Sequence, residues 1–152
     1  MKVTRATKIP YPMDWVFSML DQKMFNALKP PSFLANIELY EGNNLNDRVS
    51  IWFKIFKQRM MVKIIDIHSD NAKCYFVDEG LELPFGLTKW QHKHLVTKGD
   101  NNRCILQDEI FFTHKTPLGN WFSFIILQLF LLQRSFQYRS YLKKHGETKN
   151  KL

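Results

Sequence analysis

The chain has 152 residues and a formal net charge of +8, and 45% of its residues are hydrophobic. A chain of this length and composition can bury a core without disulfides or structural metal, which excludes a disordered protein and a disulfide-dependent scaffold. Its lysines are scattered, and the sequence carries no recognition helix, ribonucleoprotein motif or zinc finger, so we expect no nucleic-acid partner.

Prolines and glycines divide the sequence into one strand, two short helices and a further series of strands. Lys2–Ile9 is predicted as the first strand, and residues 14–20 and 23–28 are predicted as helices. Six more strands are predicted at residues 33–40, 49–56, 60–68, 73–78, 87–97 and 104–114. Because the turns between most of them are short, neighbouring strands should be antiparallel.

Pro117 begins a long helix that is predicted to reach about Lys144. Apolar residues with alternating three-residue and four-residue spacing form a stripe that we expect to pack on the sheet and close a cavity. This stripe is Leu118, Phe122, Ile125, Leu129, Leu132 and Phe136. Leu127 and Phe130 fall on the other side. We expect a second subunit in a homodimer, a peripheral membrane contact or the loop at residues 80–86 to cover them.

This order of elements predicts the α+β class, with a curved seven-stranded antiparallel sheet wrapped around a long C-terminal helix. We expect a single domain over residues 1–145 and a disordered tail over residues 146–152. Cys74 and Cys104 lie in apolar segments, and the N-terminal residues lack the apolar run of a signal peptide. Free buried thiols and a cytoplasmic protein are therefore expected.

The predicted hairpin of the last two strands carries the candidate site. Trp90, His92 and His94 alternate along the first of these strands, so they share one face. If the loop centres near Asp100, then His92 lies opposite Asp108 on an otherwise apolar face. A buried carboxylate needs a partner, so we predict that His92 and Asp108 are hydrogen-bonded in the cavity.

This arrangement supports several interpretations. The pair can be structural and satisfy itself inside the core. It can instead, together with His94, fix the polar end of an apolar ligand, or Asp108 can set the tautomer of His92 for general acid-base chemistry. Metal binding by His92, His94 and Asp108 is disfavoured because no fourth ligand is evident. Nucleotide binding is disfavoured because the sequence has no glycine-rich phosphate-binding loop. We therefore expect neither a metal nor a cofactor.

An ordered set of motifs covers nearly the whole chain and resembles the SRPBCC superfamily. These motifs are Phe76-Val77-Asp78-Glu79, Pro84-Phe85, Trp90-x-His92-x-His94, Asp108, Pro117-x-Gly119 and Phe136-x-Tyr138-Arg139. The set is similar, more narrowly, to an uncharacterised bacterial branch described as ligand-binding or cyclase/dehydrase-like. The resemblance implies the helix-grip fold of START lipid-transfer domains, with a hydrophobic cavity between the sheet and the long helix.

The sequence thus favours a protein that binds a small hydrophobic or amphipathic ligand, with no catalytic residue assigned. The predicted ligand-binding residues are Phe53, Phe76, Trp90, His92, His94, Asp108, Phe112 and Phe122. A first alternative is a cyclase or dehydratase that uses His92 and Asp108 as an acid-base pair. A second is a membrane-associated or partner-binding protein that uses the apolar C-terminal helix.

Overall fold

The computed structural model describes residues 1–149, which form seven strands and three helices. In chain order these are β1 (Lys2–Ile9), α1 (Met13–Ser18), α2 (Gln22–Leu28), β2 (Ala35–Tyr40), β3 (Arg48–Phe53), β4 (Gln58–Ser69), β5 (Lys73–Glu82), β6 (Leu87–Lys98), β7 (Cys104–His114) and α3 (Pro117–Lys149). Every predicted element is present, with bounds that differ by a few residues.

The seven strands form one antiparallel sheet in the order β1-β7-β6-β5-β4-β3-β2. Each strand pairs with its neighbour in sequence, except that β1 pairs with β7, with Val3 opposite Ile110. The predicted α+β architecture is therefore confirmed. This order places β5, β6 and β7 side by side, so inward side chains from three strands meet on one face.

Two buried clusters hold the helices against that face. The larger joins α1, α2 and the end of α3 to the sheet through Val16, Met24, Leu106 and Tyr138, among others. The smaller consists of Val3, Ile110, Phe112 and Leu131. Cys74 and Cys104 are buried and free, as predicted.

The short helix α2 is fixed at its start by a side-chain cap. The Asp21 carboxylate accepts a hydrogen bond of 2.9 Å from the backbone N–H of Met24, and this satisfies one of the donors that a helix N-terminus leaves unpaired. Met24 and Leu28 are the buried residues of this helix. The capped helix thus covers the sheet beside α3 and supplies part of the cavity wall.

The predicted orientation of α3 was wrong. Leu118 and Phe122 are 82% and 65% exposed, and Leu129 is 62% exposed, although all three belong to the stripe that was expected to face the sheet. Leu131 and Arg134 are buried instead. Both sides of the helix have apolar residues at helical spacing, so the spacing does not distinguish them. Arg134 lies with Leu127 and Phe130 on the side that faces the sheet, where Asp78 and Asp108 stabilise its charge.

The C-terminal end of α3 also differs from the expectation. The helix continues to Lys149, so it includes residues 146–149 of the segment that was predicted to be a disordered tail. Residues 150–152, the rest of that segment, lie outside the described residues. Gly146 is buried, and a Cβ there would meet the ring of Tyr11, so α3 packs closely at this residue on the segment after β1.

Candidate functional site

The register of the β6–β7 hairpin is shifted by two residues from the predicted register. His94, rather than His92, lies opposite Asp108, and His92 lies opposite Ile110. Asn101 and Asn102 both have positive φ, so the loop turns around them rather than around Asp100. Because the shift is even, the histidines and Asp108 stay on the same face of the sheet.

Three buried side chains contact the Asp108 carboxylate. His92 Nε2 lies 2.9 Å from Asp108 Oδ1, which confirms the predicted pair. His94 Nδ1 lies 3.2 Å from the same oxygen, and the Tyr138 hydroxyl donates to it over 3.3 Å. One carboxylate oxygen therefore orients both imidazole rings and connects the sheet to α3.

A second carboxylate, which the sequence analysis missed, comes from β5. Asp78 lies opposite His92 in the sheet, and its Oδ2 is 3.3 Å from His94 Nε2 and 3.8 Å from His92 Nδ1. Trp90 Nε1 donates to Asp78 Oδ1 over 3.0 Å. The strand alternation Cys74, Phe76, Asp78 was the available signal, because it places Asp78 on the inward face with two apolar residues.

Arg134 completes the cluster from the helix side. Its guanidinium lies 5.5 Å from the centre of the Tyr138 ring and 5.6 Å from that of Phe130. The side chain is buried, and among the described residues its Nε has no hydrogen-bond partner. A buried donor without a partner is costly, so this N–H is an available contact for a bound molecule.

The proximity of these groups shifts their proton affinities in different directions. Burial alone would raise the pKa of Asp108, but hydrogen bonds from His92 and His94 outweigh burial and hold that pKa well below its ordinary value. Burial and the neighbouring His94 lower the pKa of His92. For His94, burial is outweighed by hydrogen bonds to Asp108 and Asp78, so its pKa is raised. Of the two imidazoles, His94 therefore binds a proton more readily than His92.

A cavity of about 300 Å³ lies beside this cluster, between the sheet, α2 and α3. Most of its wall is apolar, and the polar cluster contributes Asp78, Trp90, His92, His94, Arg134 and Tyr138. Phe85 and Ile126 line the cavity and are 42% and 48% exposed, so they lie where it reaches the surface. The cavity thus joins a polar inner region to an apolar edge.

The predicted ligand-binding residues are distributed unevenly around this cavity. Five of them line it: Phe53, Phe76, Trp90, His92 and His94. Asp108 lies behind the two histidines, and Phe112 is buried in the smaller core cluster. Phe122 was assigned wrongly, because it projects from the exposed side of α3.

Asp78, His92 and His94 form a group that could hold a metal ion, since their ligand atoms all lie within 4.8 Å of one another. This set contains Asp78 in place of Asp108, which was the carboxylate considered from the sequence. Asp108 contacts the ring nitrogens that point away from Asp78, as carboxylates do when they orient metal-bound histidines. Nitrogen and carboxylate donors of this kind suit zinc and other divalent transition metals.

Comparisons with known proteins identify the fold. No protein-family model and no curated protein matches the chain. Norcoclaurine synthase from Thalictrum flavum superposes with a TM-score of 0.71 at 14% identity, covering 95% of this chain and 87% of that one. An uncharacterised protein from Bacillus thuringiensis has a TM-score of 0.66 at 14% identity, covering 93% and 98%. Protein Ms6760 from Mycobacterium smegmatis has a TM-score of 0.65 at 12% identity, covering 95% and 92%.

These similarities establish the helix-grip architecture of a curved antiparallel sheet around a long C-terminal helix. At identities this low they show the fold alone. Membership of the SRPBCC superfamily, which the motifs indicate, stays a prediction.

Proposed function

We propose that the protein binds a small amphipathic molecule in the cavity, with the apolar part against the aromatic walls and the polar end at Arg134. The observation that carries this proposal is the polar cluster in an otherwise apolar cavity, where Arg134 Nε has no hydrogen-bond partner among residues 1–149. Ligand sites typically combine apolar walls with a few convergent polar groups.

The chemistry of the cluster restricts the ligand. The Arg134 guanidinium offers donors only, whereas both ring nitrogens of His94 already contact Asp78 and Asp108. A complementary ligand therefore presents an acceptor, such as a carboxylate, a phenolate or a carbonyl oxygen. The volume of about 300 Å³ is at the lower end of the usual range for small-molecule sites. Norcoclaurine synthase, which shares this fold, has been crystallised with dopamine and hydroxybenzaldehyde, two small aromatic molecules with polar groups.

Native mass spectrometry of the purified protein tests this proposal. We expect a co-purified small molecule that carries an acceptor group and is released on denaturation. Arg134→Met should lose most of the bound molecule, whereas Arg139→Met, an exposed arginine on the same helix, should retain it. An Arg134→Met protein that retains the molecule would contradict the proposed position of the polar end.

A second candidate function is acid-base catalysis of a cyclisation or dehydration, favoured by the contact between His92 and Asp108. His92 lines the cavity and its lowered pKa leaves it neutral, so it can accept a proton from a bound substrate. Asp108 would hold the ring and stabilise the imidazolium that forms. A positioned acid-base group typically contributes about 10²-fold to 10⁴-fold in rate.

The two candidates differ in what His92 does. The assay offers the unmodified protein the co-purified molecule and its hydrated or open-chain precursors as substrates. If the protein only binds the molecule, none of these compounds is converted. An enzyme shows conversion that is lost in both His92→Gln and Asp108→Asn while the molecule still binds. Circular dichroism of both variants verifies that the fold is intact.

A further inference from the structure

The outer side of α3 carries an unusually large exposed apolar surface. Its residues are Leu118, Trp121, Phe122, Ile125, Leu129 and Phe136, and we call this set the outer stripe. Trp121 is 64% exposed and Phe136 is 62% exposed. Single exposed apolar residues are ordinary, but a continuous patch of aromatic and aliphatic residues marks an interaction surface.

Exposed apolar residues from three loops extend this surface beyond the start of α3. Ile55 and Phe56 lie between β3 and β4, and the Phe56 ring is 5.1 Å from that of Phe85, between β5 and β6. The Phe85 carbonyl lies 2.9 Å from His114 Nε2, just before α3. Phe33 is 70% exposed, and its neighbour Leu34 accepts a backbone hydrogen bond from Lys54. The loops therefore gather at the N-terminal end of the outer stripe.

The part of the chain that forms the outer stripe has no acidic residue. From Ile110 to Gly146 the sequence has no aspartate or glutamate, although Lys115 and Arg139 fall in the same interval and are exposed. Lys54 and Lys57 flank the exposed Ile55 and Phe56 in the same way. An apolar surface bordered by basic residues complements an apolar layer covered by negative charge.

We propose that the outer stripe and the adjoining loops dock on the surface of an anionic lipid bilayer. None of the helices in residues 1–149 is long and apolar enough to cross a membrane, so the contact is interfacial. A second copy of the chain is the weaker occupant, because the acid-free helix would face its own basic residues across a symmetric interface. Lipid headgroups bring negative charge to these basic residues.

Docking in this orientation places the edge of the cavity at the lipid surface. Phe85 and Ile126 belong to the cavity wall and are exposed next to the outer stripe. A molecule that leaves the bilayer would meet the apolar edge first and the polar cluster last. The docking surface is formed by exposed side chains, so it does not depend on what the cavity binds.

Co-sedimentation with vesicles tests the docking surface. We expect the protein to pellet with phosphatidylcholine vesicles that contain phosphatidylglycerol and to remain in the supernatant with pure phosphatidylcholine. The double variant Phe122→Glu with Leu129→Glu should weaken binding about tenfold or more, since it places two charges in the contact. Phe111→Glu is the matched control, because Phe111 is an exposed aromatic on β7, away from the stripe.

A second pair of variants tests the electrostatic part without altering the helix. Lys54→Glu with Lys57→Glu should weaken binding to anionic vesicles by a similar factor, and added salt should weaken binding of the unmodified protein. Equal binding by all variants, or none to anionic vesicles, would overturn the proposal. A dimer seen by analytical ultracentrifugation that Phe122→Glu dissociates, without vesicle binding, would assign the surface to a second copy instead.

Discussion

The two sides of α3 have similar spacing of apolar residues but opposite surroundings. The inner side packs Leu131, Arg134 and Tyr138 against the sheet, and the outer side exposes residues such as Leu118 and Leu129. The inner side contains the buried charge of Arg134, and the outer stripe consists of apolar side chains. The comparison shows that Arg134 marks the side of the helix that faces the cavity, while the apolar outer stripe faces outward.

The strongest way to disturb the inner side is to remove its central carboxylate. Asp108→Ala leaves the two histidines and Tyr138 without their shared acceptor in a buried region, and it removes a negative charge that stabilises the Arg134 guanidinium. Breaking a buried ionic group by removal of one partner typically costs about 3–5 kcal/mol. We expect a loss of that size in the free energy of unfolding from urea denaturation.

An exposed control carboxylate and a second Asp108 variant sharpen this measurement. Asp66→Ala, at an exposed carboxylate on β4, should change stability by less than about 0.5 kcal/mol. Asp108→Leu should cost less than Asp108→Ala, because an apolar side chain fills the space. If Asp108→Ala is as harmless as Asp66→Ala, the carboxylate does not hold the cluster together.

A direct comparison of the two sides of the helix uses two leucines two positions apart. Leu131 is 1% exposed in the smaller core cluster, whereas Leu129 is on the outer stripe. Leu131→Ala should cost about 2–5 kcal/mol because it opens a cavity in the core. Leu129→Ala should be within about 0.5 kcal/mol of the unmodified protein in the same denaturation assay. Similar losses at the two positions would mean that the outer stripe is covered in solution.

The sequence was sufficient for the elements and for part of the site. The strands were predicted near their observed bounds because alternation, prolines and glycines are local signals. The contact between His92 and Asp108 was predicted in spite of a register error, because an even shift preserves the face on which each side chain lies. These features depend on one segment or on one hairpin.

The missed features depend on several segments at once. Asp78 is paired through the neighbouring strand β6, and Arg134 is compensated by carboxylates from β5 and β7. The orientation of α3 was predicted from apolar spacing within the helix alone, which does not show that the acids of the sheet lie opposite Arg134. The burial of Arg134 is explained by Asp78 and Asp108, which the folded sheet places near its guanidinium.

The smallest predicted effect is the pH dependence of stability, to which His92 and His94 contribute in opposite directions. The pKa of His94 is raised above the ordinary value of 6.5, so its contribution to stability is complete below that value and is lost as the pH rises through the folded pKa. The pKa of His92 is lowered, so the folded protein resists its protonation, and stability falls as the pH drops below 6.5. With Asp78, Asp108, Arg134 and Tyr138 facing both rings, stability should be maximal near pH 6.5.

Single substitutions show which histidine causes each change of stability with pH. His94→Gln should flatten the decline on the alkaline side, and His92→Gln should flatten the decline on the acid side, with Asp108 contributing only in stronger acid because its pKa lies well below the usual range. Thermal unfolding of the three proteins across pH 5 to 8.5 measures the slopes, and each variant is compared with its own maximum because either glutamine lowers stability at every pH. If the stability of His94→Gln still falls as the pH rises, then a group other than His94 loses the proton in that range. The contacts of His94 with Asp78 and Asp108 would then not explain the pH dependence.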